Sequence, residues 1–129
     1  SAFVDSDFIP VIAPIGYGAS SLTFNINGDT VAGALASSLA ADRLLLLTDV
    51  EGVKSADGSL IPQLNPIEAR ALIKQGIISN GMIPKVDTAL EAIENKVRAS
   101  VIIDGRVEHS CLLELFTAHG VGTLFRKEI

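Results

Sequence analysis

This sequence predicts an α/β fold, layered around a mainly parallel β-sheet. Two continuous apolar runs, Arg43–Thr48 and Ser100–Asp104, read as strands covered on both faces, since a half-buried strand would alternate apolar and polar residues. Helical segments with capping residues and a 3.6-residue apolar repeat lie between and after these runs, which is the α/β pattern. At 129 residues the chain is expected to be a single domain with a substantial core. An apolar fraction of 48% and a mean hydropathy of +0.43 supply that core.

The elements follow in order. Phe8–Ala13 is expected as a short buried strand, with Pro10 blurring its ends. Gly16–Ser21 is a flexible loop, and Leu22–Ile26 alternates well enough to be extended. Asn27-Gly28-Asp29 supplies capping chemistry for a helix over about 30–40, whose Ala32, Gly33, Ala34 and Ala36 let it press closely on a neighbour. After Arg43–Thr48 comes a loop, 49–58, holding a small hairpin with Val53-Lys54 opposite Leu60-Ile61 around Asp57-Gly58. Asn65-Pro66 opens a helix to about Gln75, and Gly76 closes it. Pro84 to about Lys96 is an amphipathic helix with Val86, Ala89, Leu90 and Ile93 on one face. Strand Ser100–Asp104, helix Ser110–Phe116 and a final strand, Gly122–Phe125, complete the chain. Ligands of such sheets collect outside strand carboxyl ends. Ala13-Pro14, Thr48-Asp49 and Asp104-Gly105 are expected there.

Composition excludes several function classes. A net charge of −5 argues against a general nucleic-acid or anionic-membrane surface. Aromatic residues make up 5%, with no Trp, so stacking platforms for single-stranded nucleic acid are not expected. Cys111 is the only cysteine, which precludes an internal disulfide and fits a reducing, cytoplasmic setting. No apolar run approaches the roughly 20 residues of a membrane span, and no signal peptide is visible. The chain opens at Ser1 without an initiator methionine, as a processed, trimmed or partial chain would. His109 and His119 have no partner at metal-like spacing, so a zinc site is not expected. Cys111, within an apolar helical stretch, reads as a buried structural thiol.

Three short segments carry candidate chemistry. In Gly81-Met82-Ile83-Pro84-Lys85, Pro84 suits the first helical position, and Lys85 would then stand beside unpaired N–H groups at the positive end of a helix. That corner attracts phosphate, although an ordinary helix start with a solvated lysine explains the same five residues. Asn25-Ile26-Asn27-Gly28-Asp29 offers two amides and a carboxylate, of which capping by Asn27 or Asp29 uses one. Asn25 could present its amide to a carboxylate ligand, and Asp29 could hold a lysine ammonium. Leu47-Thr48-Asp49-Val50-Glu51-Gly52-Val53 puts a hydroxyl and a carboxylate at a strand tip, where Gly52 would let the backbone pass a flat ligand; a solvated turn is the plainer account. Ile77, Ile78 and Met82 form either an apolar slot for a base, with Ser79 at its rim, or simply core.

Together, and in this order and spacing, the three segments resemble the amino acid kinase family, and within it the branch that phosphorylates the side-chain carboxylate of N-acetyl-L-glutamate in arginine biosynthesis. The resemblance runs from about Phe8 to Thr123 and implies the carbamate kinase-like three-layer sandwich, carboxyl-terminal half only. It implies that Lys85 stabilises the transferring phosphoryl group and that Asp29 organises the catalytic lysines. Asn25 would bind the substrate α-carboxylate. Thr48, Asp49, Val50, Glu51, Gly52, Val53 and Lys54, with Ile77, Ile78, Ser79 and Met82, would cradle adenine and ribose. Magnesium would arrive on the ATP phosphates. The full-length protein would be a homo-oligomer using ATP and N-acetyl-L-glutamate.

The chain departs from this pattern in lacking the Lys-x-Gly-Gly strand end of the amino-terminal half, so it is expected to be half an active site, inactive alone. Gly28 stands where the family often has alanine. A regulatory module is the alternative: Glu114 and Gly120 match the positions at which arginine-inhibited members hold the guanidinium and carboxylate of arginine. Glutamate 5-kinase, aspartokinase, carbamate kinase and uridylate kinase share the fold, but the Asn-x-Asn-x-Asp spacing with Gly-Met-Ile-Pro-Lys favours the N-acetylglutamate branch.

Overall fold

The computed structural model describes residues 7–118 and 120–127. A short antiparallel hairpin comes first, β1 (Ile15–Tyr17) with β2 (Thr23–Asn25). Helix α1 (Gly28–Ser38) leads into β3 (Arg43–Thr48). After β4 (Gln63–Leu64) come α2 (Pro66–Lys74), α3 (Met82–Glu94), β5 (Ala99–Asp104), α4 (Ser110–Phe116) and β6 (Thr123–Phe125). Strands β3–β6 form one sheet in the order β3-β5-β6-β4, parallel at β3–β5 and β4–β6 and antiparallel at β5–β6.

Local chemistry explains the helix ends. Asn65 accepts from the Glu68 N–H while Glu68 accepts from the Asn65 N–H, both at 2.9 Å, and Pro66 opens the helix between them. Gly76 follows in the left-handed conformation, which ends α2 where expected. Asn27, not Asp29, caps α1, accepting from the N–H groups of Asp29 and Thr30 at 2.9 and 3.2 Å. Asp29 is thereby free for another partner.

The core lies between the sheet and the α1–α3 pair. Leu44, Leu46, Ile102 and Phe125 meet Val86, Ala89, Leu90 and Ile93 there. At Gly33 a methyl group would lie 2.8 Å from the Thr88 methyl, so the two helices approach as closely as the small residues of α1 suggest. Val101 and Ile103 point to the opposite face, where α4 packs on β5. All six residues of β5 are buried.

Several expectations fail. Phe8–Ala13 is neither strand nor buried; Val11 is 96% exposed. Pro10 cannot donate to a ladder, and no element among the described residues covers this segment. Ala13-Pro14 therefore ends no strand, and β1 instead falls at Ile15–Tyr17, overlapping the expected loop. Strand β3 is fully covered on one face only: Leu44 and Leu46 are buried, but Leu47 is 47% exposed, because β3 is an edge strand that α4 meets at its other end, where Arg43 pairs with Glu114. Cys111 is half-buried, and His119 lies outside the described residues. Strand β4, two residues long, leaves no periodic signal. The hairpin at Val53–Ile61 is as expected, with Lys54 bridged to Leu60.

Ser100, fully buried on β5, leaves its hydroxyl without a hydrogen-bond partner. An unpaired buried hydroxyl carries its desolvation penalty uncompensated. Ser100→Ala is expected to raise the denaturant midpoint, by about 1 kcal/mol in unfolding free energy, as measured by urea titration.

Candidate functional site at the carboxyl end of the sheet

Connections of a few residues join α1 to β3 and α3 to β5, and each helix packs on the strand it feeds. Each must therefore run back along that strand. The amino termini of α1 and α3 thus lie with Thr48 and Asp104 at one end of the sheet, and β3–β5 register sets those two residues side by side.

Here Lys85 meets Asp29. Its Nζ donates to Asp29 Oδ2 at 2.7 Å, across 56 residues of sequence, with side chains 22% and 29% exposed. A charge-assisted bond at this length fixes the ammonium position and leaves two of its donors for another group. The setting differs from expectation in one respect. Helix α3 begins at Met82, so Pro84 is its third residue. Proline is tolerated there because the first four N–H groups have no intrahelical acceptor. Met82 and Ile83 nevertheless donate to the carbonyls of Ser79 and Asn80, both at 3.2 Å. The helix start therefore presents no open N–H pair, and the positive character of this corner comes from Lys85.

Asn25 ends β2, exposed, just before the Asn27 cap. Thr48 closes β3, with its hydroxyl 3.3 Å from the Asp49 carboxylate. Asp49, Val50 and Glu51 are exposed, and Glu51 pairs with Lys54 at 3.3 Å. Val53 is buried, and its N–H donates to Thr123 Oγ1 at 2.8 Å. Gly52 has φ +151°, and a methyl group there would lie 2.6 Å from Thr123 Oγ1. Glycine is required at 52 by contact with β6, independently of any flat ligand. Ile78 is buried in the core, whereas Ile77 and Met82 are half-buried and Ser79 is exposed. A slot for a base could use Ile77, Ser79 and Met82, but the side chain of Ile78 only as support.

The motifs do not single out Arg106, which the structure binds to Asp104. Its backbone N–H, Nε and Nη2 all donate to the Asp104 carboxylate, at 2.9, 3.0 and 2.8 Å. These bonds hold the Asp104 carboxyl at a pKa of about 2, down from 3.8, and the carboxylate in turn raises that of Arg106. An Asp-Gly-Arg run after a buried strand was the available signal.

Away from this end, Glu114 is buried on α4, accepting from the Val121 N–H at 3.0 Å and pairing with Arg43 at 3.6 Å. With Arg43, Gln63 and Gly120 it lines a cavity of about 460 Å³. One guanidinium of the chain's own thus already faces this carboxylate. Among the described residues no group of three or more His, Cys, Asp or Glu could hold a metal, and no helix is long and apolar enough to cross a membrane.

This arrangement has recognisable kin. The amino acid kinase family profile matches residues 1–104, and the chain belongs to that family. Within it, the chain is 57% identical over 122 residues to the acetylglutamate kinase of Ruegeria pomeroyi, covering 95% of this chain and 42% of that protein. The chain thus spans about two fifths of the curated relatives it matches. Among solved structures, N-acetylglutamate synthase from Neisseria gonorrhoeae, complexed with coenzyme A and L-arginine, superposes with a TM-score of 0.84 at 32% identity, over 91% of this chain and 27% of that one. Carbamate kinase from Giardia lamblia bound to AMP-PNP shares the fold at a TM-score of 0.66 and 24% identity, over 88% of this chain and 37% of that one. The expected carbamate kinase-like α/β fold is thereby established.

A carboxylate whose folded pKa is depressed stabilises the fold above its unfolded pKa, and that stability is lost as pH falls toward the folded value. For Asp104 this window lies between 3.8 and about 2. Asp104→Asn is expected to flatten the loss of stability across that window, while the native chain keeps a steeper fall, as read from thermal midpoints at stepped pH.

Proposed function

We propose that this chain is the ATP-binding portion of an N-acetyl-L-glutamate 5-phosphotransferase, which forms ADP and N-acetylglutamyl 5-phosphate. The observation that carries the reading is the 2.7 Å bond between Lys85 and Asp29, which fixes an ammonium between two helix starts at the sheet's carboxyl end. In-line phosphoryl transfer needs positioning and positive charge rather than a covalent nucleophile. Lys85 would follow negative charge onto the phosphoryl group as it moves, and Asp29 would keep that ammonium aimed. Asn25, on the neighbouring hairpin, would meet the substrate carboxylate. The strand tip at Thr48, the Asp49 carboxylate, the backbone of 50–54, and Ile77, Ser79 and Met82 would hold the nucleoside. Magnesium would come with the ATP phosphates, which supply its oxygen ligands.

The identity to acetylglutamate kinases supports this reading over other kinases of the fold, such as glutamate 5-kinase or aspartokinase. The rest of such a kinase would cover the exposed apolar residues Phe8, Ile9, Val11 and Ile12 and the open edge of β3, and would complete the substrate pocket. A homo-oligomer, acting in the cytoplasm, belongs to the same reading. A second reading, a regulatory arginine-binding module, is favoured by the cavity at Glu114 and Gly120, where a bound arginine would have to displace or share the carboxylate with Arg43.

Calorimetric titration with MgADP tests the first reading. Binding is expected, with affinity reduced about tenfold in Lys85→Ala and in Asp49→Ala; equal affinities in all three proteins would remove these residues from the site. The isolated chain should release no ADP in response to N-acetylglutamate, and steady release in a coupled assay would overturn the half-site proposal. Titration with L-arginine, compared between the native chain and Glu114→Gln, tests the second reading.

A further inference from the structure

The end of the sheet opposite the Lys85 site carries a feature that the kinase reading does not use. Strands β5 and β6 are antiparallel, with Ser100 opposite Phe125, so Arg98 before β5 and Arg126-Lys127 after β6 emerge at the same end. Lys96, just past the end of α3, joins them. These four side chains line one open pocket of about 440 Å³ with buried Ile93 and Val97. Four of the chain's ten Lys and Arg residues therefore share one pocket in a protein of net charge −5. Its local sign opposes that of the whole chain, the condition under which a surface selects anions.

Among the described residues, little neutralises these charges. Arg98 pairs with Asp42 at 3.5 Å, both side chains exposed. Arg126 is fixed by a neutral group: the Gln63 amide oxygen, turned toward it, accepts from its Nη2 and Nε at 3.1 and 3.0 Å. Among the described residues Lys96 and Lys127 have no ion partner. Lys96 also takes the left-handed position that ends α3, with φ +78°, where glycine is usual. The negative end of α3 favours a cation there, which accounts for one of the four; among the described residues no carboxylate accounts for Arg126 or Lys127.

We propose that this pocket binds a small multivalent anion, its phosphate or clustered carboxylate groups met by Lys96, Arg98, Arg126 and Lys127 and its carbon skeleton, if any, by Ile93 and Val97. The site is separate from the nucleotide site. Lys85 and Lys96 lie toward opposite ends of α3, which is about 20 Å long. Occupancy of one does not block the other.

The test uses the native chain, with backbone amide shifts followed by NMR during titration with sodium pyrophosphate and, separately, sodium citrate, at constant ionic strength. Saturable shifts at the Lys96, Arg98, Arg126 and Lys127 amides are expected. Affinity should fall about tenfold or more in the Lys96→Gln/Lys127→Gln double variant and remain unchanged in Lys85→Ala. All four side chains are exposed, so a native spectrum is expected of the double variant. A response to pyrophosphate alone would identify phosphate as the recognised group, and a response to citrate alone would identify carboxylate. Shifts centred on Asp29 and Lys85, an unaltered affinity in a natively folded double variant, or no saturable shift with either anion would each overturn the site. The first of these would leave the kinase reading standing.

Discussion

Six residue pairs join β3 and β5 in parallel register, from Arg43 opposite Ala99 to Thr48 opposite Asp104, and the rest of the structure is arranged around that pairing. Strand β5 is buried along its whole length, with β3 on one side, β6 on the other and α3 across one face. A central strand with no solvent-facing side chain can be satisfied only by layers on both faces. Short connections then oblige α1 and α3 to run back along β3 and β5, which brings both helix starts to the strand tips. The position of the candidate site follows from this pairing before any of its side chains is considered.

At that end two carboxylates each hold a cation, by different means. Asp29 is released from capping because Asn27 performs it, and so is free to bind Lys85 from another helix. Asp104 takes its partner from two residues further along its own chain. The first pair ties α1 to α3, and a change in the spacing of those helices would move the ammonium. The loop between the strand tips and the hairpin is pinned separately, by Thr123 Oγ1 donating to the Ile61 carbonyl and accepting from the Val53 N–H. Its backbone is therefore held by β6 in addition to the hairpin's own bonds, such as that from the Ile61 N–H to the Val53 carbonyl at 2.8 Å.

The surface is uneven in polarity and in charge. Apolar side chains from Phe8 to Ile26 stand exposed, and the β3 edge carries Leu47 uncovered, in a chain two fifths the length of its relatives. Basic residues gather at the amino end of β5, while acidic ones prevail over the chain as a whole. The proposed kinase reading accounts for the first asymmetry, and the proposed anion site for the second.

The sequence alone determined whatever depends on neighbours a few residues apart. The capping box at Asn65 and Glu68, the stop at Gly76, the apolar face of α3 and the continuous runs of β3 and β5 are each complete within one turn or strand. Their physics is local hydrogen bonding and periodicity. The family motifs were legible for the same reason, since each is a short string. What only tertiary structure decided depends on distant partners or on cover. Phe8–Ala13 is as apolar as a buried strand, yet none of the described residues lies over it. Ile78 reads equally well as slot or core until the packing places it. Gly52 is required by Thr123, 71 positions away. Asp29 could have been a cap or a lysine partner, and the choice fell to whichever side chain the fold brought within 2.7 Å. A hydrogen bond acts only at contact, and contact between residues so far apart in the chain exists only once the sheet has closed.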